Sequence, residues 1–392
     1  MEDMEEIRYL INEEKEKTRP LWEEIFPEDG KEFLNYYYSV KTADNEILAL
    51  EKDGRLCSML QLNPYRLQLG DVQADSAYVI AVATRRECRH QGMMRKLLVK
   101  AMCDRYDRHQ PFLFLMPADE AIYRPFGFRF GYEQLRMELP GPQFPGVSAV
   151  GKGRYAAAPV RIGEEGLAAA FANQILKEHA DGFALRDADY YRILRSECAS
   201  EEGDLVWISE NGRRIGLTAY TLQETAEVRE PLIVREYRDR TGEILNACFG
   251  AFARPVHVYG LLPGEDPEKL PTASKPVIML RPLYLPSFLS VVRADEELEF
   301  ILRTEDAVLP ENRGVFTWKL GPEESSLEPK KSGIEQKPED LKLPVEALVR
   351  LLFGNEDVDT ICREEHGVMT PEARKKWKKV RTGLKVFLNE IV

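Results

Sequence analysis

Apolar and polar positions alternate along the chain in two different periods. Ile7, Leu10 and Ile11, then Leu21, Trp22 and Ile25 after Pro20, fall at helical spacing, which predicts helices across the first 40 residues. The period then changes. "ILALEK" and "RLCSMLQL" flank Asp53-Gly54, and "YRLQL" and "VQADSAYVIAVAT" flank Gly70-Asp71, so a β-meander with tight turns is predicted. It ends in Tyr78 to Ala83, an apolar run with the length of a buried strand. A helix follows, with Leu97, Leu98, Ala101 and Met102 on one face, then a second apolar strand, "PFLFLMP" (111–117). A short helical piece and the alternating "GFRFGYEQLRMELP" complete a strand–helix–strand unit inside an otherwise antiparallel sheet, an α/β (α+β mixed-sheet) fold.

The same order recurs. A Pro/Gly-rich stretch at 140–154 reads as a linker, and beyond it come helices at about 164–180 and 187–198. A hairpin turning at Asn211-Gly212, the strand "PLIVREY" and a helix at about 240–253 follow. A duplicated domain is implied, although the two halves show no clean identity. From about 286 a third pattern begins: strands "LEFILRTEDAVL" and "RGVFTWKLG", then a polar excursion that reads as a hairpin loop exposed to water. The helix "PVEALVRLLFG", a basic helix "TPEARKKWKKV" and a terminal apolar strand "KVFLNEIV" close the chain. Three domains result: 1–150, 151–285 and 286–392.

Composition narrows the function. A net charge of −12 argues against nucleic acid or an anionic membrane surface as main partner and allows a cationic small molecule. No stretch approaches the length of a membrane span, and no signal peptide opens the chain. Six cysteines, scattered without a C-x-x-C pair, read as reduced thiols in a cytoplasmic protein. The five histidines are dispersed, so no metal site is expected.

One cationic cluster stands out against this acidic background. Arg85, Arg86, Arg89, His90 and Arg95 surround Gly92, where the long amphipathic helix begins. A helix N-terminus offers unsatisfied N–H groups and positive dipole, and a glycine there lets an anion approach. R-x-x-G also occurs at Arg124–Gly127 and Arg213–Gly216, but only the copy at 89–92 lies between a buried strand and a long helix.

Val82-Ala83-Thr84 followed by Arg89-x-x-Gly92 resembles the acetyl-CoA motif of the GNAT superfamily of N-acetyltransferases. Met94 stands where most of that superfamily has a small residue. The enhanced-intracellular-survival (Eis) branch shares that departure, and "MPADEAIYRPFGFRFGY" resembles its tyrosine and F-G-[FY] segment. The resemblance implies tandem GNAT-like domains, the second degenerate, and a sterol-carrier-protein-like C-terminal domain. "RDRTGEILN" in the second copy lacks R-x-x-G, as degeneracy requires.

The resemblance further implies that Val82, Ala83 and Thr84 bond the pantetheine arm of acetyl-CoA. Arg89, His90, Gln91, Gly92, Met93, Met94 and Arg95 would hold its phosphates, with Ala118 and Asp119 bordering the arm. Tyr123 matches the general acid, and the Val392 α-carboxylate the base or the group that orients the amine. An unperturbed α-carboxyl has a pKa of about 3.3–3.7, so burial would have to raise it. The acceptor would be an amine of a cationic small molecule, aminoglycoside- or polyamine-like, and the assembly a homohexamer.

Trp22, Glu23, Glu24 and Phe26 lie in the helical region that borders the acceptor in the superfamily. The basic run at 374–385 reads as a solvated helix face with Trp377 turned inward, and Cys88 as incidental. Two other readings remain open: a carrier that binds an apolar ligand in the third domain and senses CoA without turnover, and a protein-lysine acetyltransferase.

Overall fold

The computed structural model describes residues 5–139, 154–223, 225–250, 252, 254–263, 273–330, 338–354 and 356–390. Its first third contains strands β1 (Glu5–Tyr9), β2 (Glu46–Lys52), β3 (Arg55–Leu69), β4 (Val72–Thr84), β5 (Phe112–Leu115) and β6 (Arg129–Leu139). Helices α1 (Asn12–Lys15), α2 (Arg19–Ile25), α3 (Lys31–Ser39), α4 (Met93–Asp107) and α5 (Glu120–Tyr123) pack around them. The middle third holds β7 (Tyr155–Pro159), α6 (Glu165–Lys177), β8 (Gly182–Ala184), α7 (Ala188–Ser200), β9 (Asp204–Glu210) and β10 (Arg213–Thr221). It continues through β11 (Ala226–Ile233), α8 (Thr241–Phe249), β12 (Val256–Leu261) and β13 (Ala273–Pro282). The last part comprises α9 (Leu285–Leu289), β14 (Leu298–Glu305), β15 (Gly314–Leu320), β16 (Ser325–Pro329), β17 (Leu341–Pro344) and α10 (Val345–Phe353). It ends with α11 (Val358–Glu364), β18 (Val368–Met369), α12 (Pro371–Trp377) and β19 (Val386–Phe387).

The main sheet runs β1-β2-β3-β4-β5-β13-β6-β12-β11-β10-β9-β7. The order is symmetric about the β13–β6 junction. On each side of it, three or more antiparallel strands lead to a single parallel pair: β4 with β5 on one side, β11 with β12 on the other. A crossover helix, α4 or α8, joins each parallel pair. These are two repeats of one mixed α/β unit, and β13 completes the sheet of the first repeat from the far end of the second. The last part forms its own sheet, β16-β15-β14-β17-β18, whose interior is packed by Phe300, Trp318 and Trp377 with ring centroids 5.9–6.1 Å apart.

Hydrophobic periodicity found most of this frame. Leu97, Leu98, Ala101 and Met102 are all fully buried on the inner face of α4. Asp53-Gly54 and Asn211-Gly212 carry the paired positive φ angles of hairpin turns, 52° and 75°, 49° and 85°. Three expectations need correction. Ile7 lies in a strand, not a helix, because β1 pairs antiparallel with the strongly apolar β2. "RLCSMLQL" and "YRLQL" form one strand of 15 residues, since Pro64 takes an unbroken register position opposite Ala77. The polar excursion after Leu320 is not wholly loop, because Ser325–Pro329 pairs with β15.

Candidate active site

Strands β4 and β5 are in register only at Ala77–Leu113 and Tyr78–Phe114. Beyond Tyr78 they part, so the backbone of residues 79–84 has no ladder partner on the β5 side. A bulge accompanies the parting: the β3–β4 register shifts between Met59 and Gln61, and Ala81 opposite it has φ 50°. A β-branched or bulky residue would be strained there, whereas alanine tolerates the bend more easily. Val82, Ala83 and Thr84 follow at once. Ser58 Oγ donates to the Ala83 carbonyl and pairs with Thr84 Oγ1, both at 2.8 Å, which fixes the last turn of the strand.

The turn after β4 leads into α4. Gly92 caps that helix with left-handed backbone (φ 74°), no side chain caps it, and an added Cβ would meet nothing within 4 Å. His90 is also left-handed, at φ 62°. The result is an exposed turn whose first helical N–H groups face open space, the geometry an anion needs. Arg89, His90, Gln91 and Arg95 are exposed around it. Arg89 Nε reaches back to the Thr84 carbonyl at 3.3 Å, and the Arg95 guanidinium lies 5.6 Å from the Phe126 ring. Met93 is buried beneath the helix and Met94 half-buried, so these two offer an anion only backbone. Arg85 is turned away: it bonds Glu24 at 2.6 Å and the Leu56 carbonyl at 2.8 Å, tying the turn to α2.

Ala118 and Asp119 follow β5 and are exposed. The Asp119 carboxylate accepts from the Ala121 N–H at 2.9 Å and so starts α5, which ends at Tyr123. Tyr123 is buried, with its ring edge-on to Phe128 at 5.8 Å. Burial alone pushes its phenol up to about 12. Gly127, of the F-G-F turn, has φ 82° and lies against the Arg281 side chain, where an added Cβ would sit 3.1 Å from Nε. Val392 lies outside the described residues.

A cavity of about 550 Å³ opens where the two repeats meet. It reaches Met116 at the end of β5 but none of the residues from 82 to 95, so it is distinct from the turn at Gly92 and meets the first repeat at the mouth of its splayed strands. Helices α3 and α7, one from each repeat, wall it, and Asn389 and Glu390 near the chain's end close it. Nine carboxylates line the cavity against four cationic side chains. The ion pairs leave negative charge over: Arg229 alone faces Glu197, Glu201 and Glu227 at 3.0–3.2 Å. Desolvation pushes the Glu197 carboxyl up to about 7, although Arg229 pulls it down, and also raises Glu201.

Among the expected acceptor-side residues, Trp22 is a core residue, 4.6 Å from the Tyr37 ring, and its indole N–H donates to Asp29 at 2.6 Å. Glu23 pairs with Arg19 and Glu24 with Arg85. None of these, nor Phe26, lines the cavity; Asp29 and Phe33 do. Glu197, Glu201, Glu230 and Glu390 were missed by sequence reasoning. Only Glu197 left a signal, a carboxylate in line with Tyr190, Ile193 and Leu194 on the apolar stripe of α7. Among the described residues no cluster of His, Cys, Asp and Glu could hold a metal ion, and no helix is long and apolar enough to cross a membrane.

Residues 6–131 match the acetyltransferase (GNAT) domain family. The chain carries a GNAT acetyltransferase domain, and the protein is an enzyme of the acyltransferase class. That domain spans the splayed strands, the Gly92 turn and Tyr123. No curated protein matches the chain. Solved structures share its fold over the full length. A conserved protein of unknown function from Enterococcus faecalis superposes with a TM-score of 0.80 at 16% identity, covering 100% of both chains. A GCN5-related N-acetyltransferase from Kribbella flavida gives 0.78 at 15%, covering 100% of this chain and 99% of the other. Eis1 from Mycobacterium abscessus gives 0.71 at 15%, covering 99% and 100%. At these identities the likeness speaks for the fold, and it extends across both repeats and the last part.

Proposed function

We propose that the enzyme transfers acetyl from acetyl-CoA to an amine of a cationic small molecule, aminoglycoside- or polyamine-like, by direct attack on the thioester. The observation that carries the acceptor class is the surplus of carboxylates in the cavity beside the splayed strands. An ammonium entering it would meet uncompensated negative charge in a low-dielectric wall, where such attraction is strong.

The coenzyme fits the residues present. The backbone at 82–84, which has no ladder partner on the β5 side, suits the amide-bearing pantetheine arm, and the open Gly92 turn with Arg89, His90, Gln91 and Arg95 suits the pyrophosphate. Ala118 and Asp119 lie at the end of the facing strand. Bound there, acetyl-CoA supplies an activated acyl group. The rest is the work of the chain. The cavity carboxylates orient the acceptor and hold its cationic form until a proton is lost. Tyr123, protonated throughout the neutral range, stands ready to donate to the departing sulfur.

The Val392 carboxylate is assigned the acceptor side, as base or orienting group; the burial of Asn389 and Glu390 in the cavity wall supports this. The full-length likeness in fold to Eis1 supports the Eis branch; domains at 1–150, 151–285 and 286–392, with a third domain of the sterol-carrier type, belong to the same proposal. That domain's packed aromatic centre speaks for a structural role over a carrier's. A homohexamer in the cytoplasm completes the proposal.

The test is calorimetric titration of acetyl-CoA into the wild type and Gly92→Glu, followed by a screen of amines for release of CoA thiol. Micromolar binding lost in the variant, with release driven by di- and polyamines, is the expected result. Binding without release for any amine, or acetyl appearing only on protein lysines, overturns the acceptor assignment.

A further inference from the structure

The second repeat has the same splay and the same bulge as the first, but no coenzyme turn. Strands β11 and β12 run in register from Ala226–Val256 to Arg229–Tyr259 and then part. The β10–β11 register shifts between Leu217 and Ala219, and Glu230, opposite, has φ 53°. The chain's own end fills this opening. Asn389 lies against Gly260 on β12, where an added Cβ would come within 2.6 Å of its side chain, and accepts from Gln134 Nε2 on β6 at 2.5 Å. Glu390 accepts from Arg186 Nη1 at 2.6 Å and from the Tyr190 hydroxyl at 3.0 Å. The other end of the same guanidinium donates to both oxygens of Glu230 at 2.9 and 3.0 Å. All three charged side chains are nearly or wholly buried.

We propose that the splayed strands of the second repeat are a socket for the C-terminal tail, and that Arg186, Tyr190 and Glu230 are positioning residues that hold Glu390 in it. The opening that is proposed to take a pantetheine arm in the first repeat is, in the second, taken by residues 389 and 390. Substitution of the coenzyme turn by "RDRTGEILN" follows, because no pyrophosphate needs to be held. Burying two carboxylates on one guanidinium is costly unless every contact is kept, so the tail has one seat and a fixed reach into the cavity. The consequence for acetyl transfer rests on the function proposed above; the socket itself does not.

The experiment is carboxypeptidase trimming of the intact enzyme, followed by intact mass, on the wild type, Glu390→Gln, Arg186→Lys and Tyr190→Phe. Release of the last three residues requires the tail to leave its seat, so its rate reads the opening equilibrium. Trimming should accelerate about tenfold or more in Glu390→Gln and Arg186→Lys, which lose a charge-assisted bond or its geometry, and a few-fold in Tyr190→Phe. Acetyl-CoA affinity should not change, and the acceptor KM should rise with Tyr190→Phe affected least. Tyr190→Phe retains the ring and is the variant that keeps the test valid if the charge variants fail to fold. Equal trimming rates across folded variants overturn the socket. Faster trimming with unaltered kinetics for the amine upholds the socket and overturns the tail's role in acetyl transfer.

Discussion

Ala81 and Glu230 occupy the same bulge in two repeats of one fold. Each is a non-glycine residue in left-handed backbone, at φ 50° and 53°, and each lies three residues before the end of its strand. The strained backbone is shared while the side chains differ: a methyl group beside the segment proposed to bind the coenzyme, a buried carboxylate in the second copy. The bulge persists because it parts the two parallel strands, and both uses of the opening depend on that parting.

Gly92 separates space from conformation. An added methyl group at φ 74° has room, but left-handed backbone costs a non-glycine residue about 1 kcal/mol. Gly92→Ala should therefore lose about 1 kcal/mol of stability in denaturant unfolding and keep acetyl-CoA affinity within about tenfold. Gly92→Glu should lose binding through its charge. Complete loss in the alanine variant would mean that the conformation at 92, rather than the space above it, holds the pyrophosphate.

Tyr123→Phe keeps the ring against Phe128 and removes only the hydroxyl. Turnover should fall about 100-fold with acetyl-CoA affinity unchanged. Because burial pushes the phenol up to about 12, the wild-type rate should show no alkaline limb from this group anywhere near neutrality. Steady-state kinetics from pH 6 to about 10 check both statements, the range being set by the ordinary phenol value. A variant with full turnover would remove Tyr123 from the chemistry.

Glu197 would make the proposed acceptor site pH-dependent. Its carboxyl is raised to about 7 because the folded chain buries it, against an ordinary value of 4.5. The folded state thus holds this proton more tightly than the unfolded one, and the group's contribution to stability is fully present below pH 4.5 and lost as pH rises through about 7. The amine needs the charged form, so the acceptor KM should rise as pH falls below about 7. Glu197→Gln should raise KM at pH 8 by about tenfold and flatten that dependence. The same variant should gain on the wild type in stability from pH 5 to pH 8, by up to about 3 kcal/mol. A wild-type KM that ignores pH in this range would exclude Glu197 from acceptor binding.

The frame and the open turn at Gly92 were legible because they are local. Helical spacing, hairpin dipeptides and one glycine at a helix start each act within a few residues, and Leu97 to Met102 or Asn211-Gly212 needed no distant partner. Ile7 misled because a five-residue strand has no period of its own and is fixed by β2, forty residues on. The cavity between the repeats was not legible because it is assembled from parts distant in sequence. Trp22 had the right chemistry in the wrong place, since Tyr37 and Asp29 claim it for the core. Glu230 and Glu390, 160 positions apart, acquire meaning only through Arg186 between them.

Arg281 and Asp306 test whether the last part of the chain holds the F-G-F turn after Tyr123. Arg281, on β13, is fully buried, packs against Gly127 and donates to Asp306 Oδ1 at 2.6 Å. Asp306 also accepts from the Val308 and Leu309 N–H groups and from Asn312. Burial acts most strongly and raises the Asp306 carboxyl, but the Arg281 charge together with the hydrogen bonds from Arg281, Asn312 and the Leu309 N–H outweighs it, and the group ends below its ordinary value. Its contribution to stability is present above pH 3.8 and lost as pH falls through the lower folded value. Asp306→Asn should cost about 3–5 kcal/mol at pH 7, because the guanidinium stays buried without its counter-charge. Arg281→Met with Asp306→Leu should recover most of that loss, since no charge is then left in the interior. Denaturant unfolding of the wild type and the two variants decides the matter. A single substitution costing under about 1 kcal/mol would place the pair in contact with water.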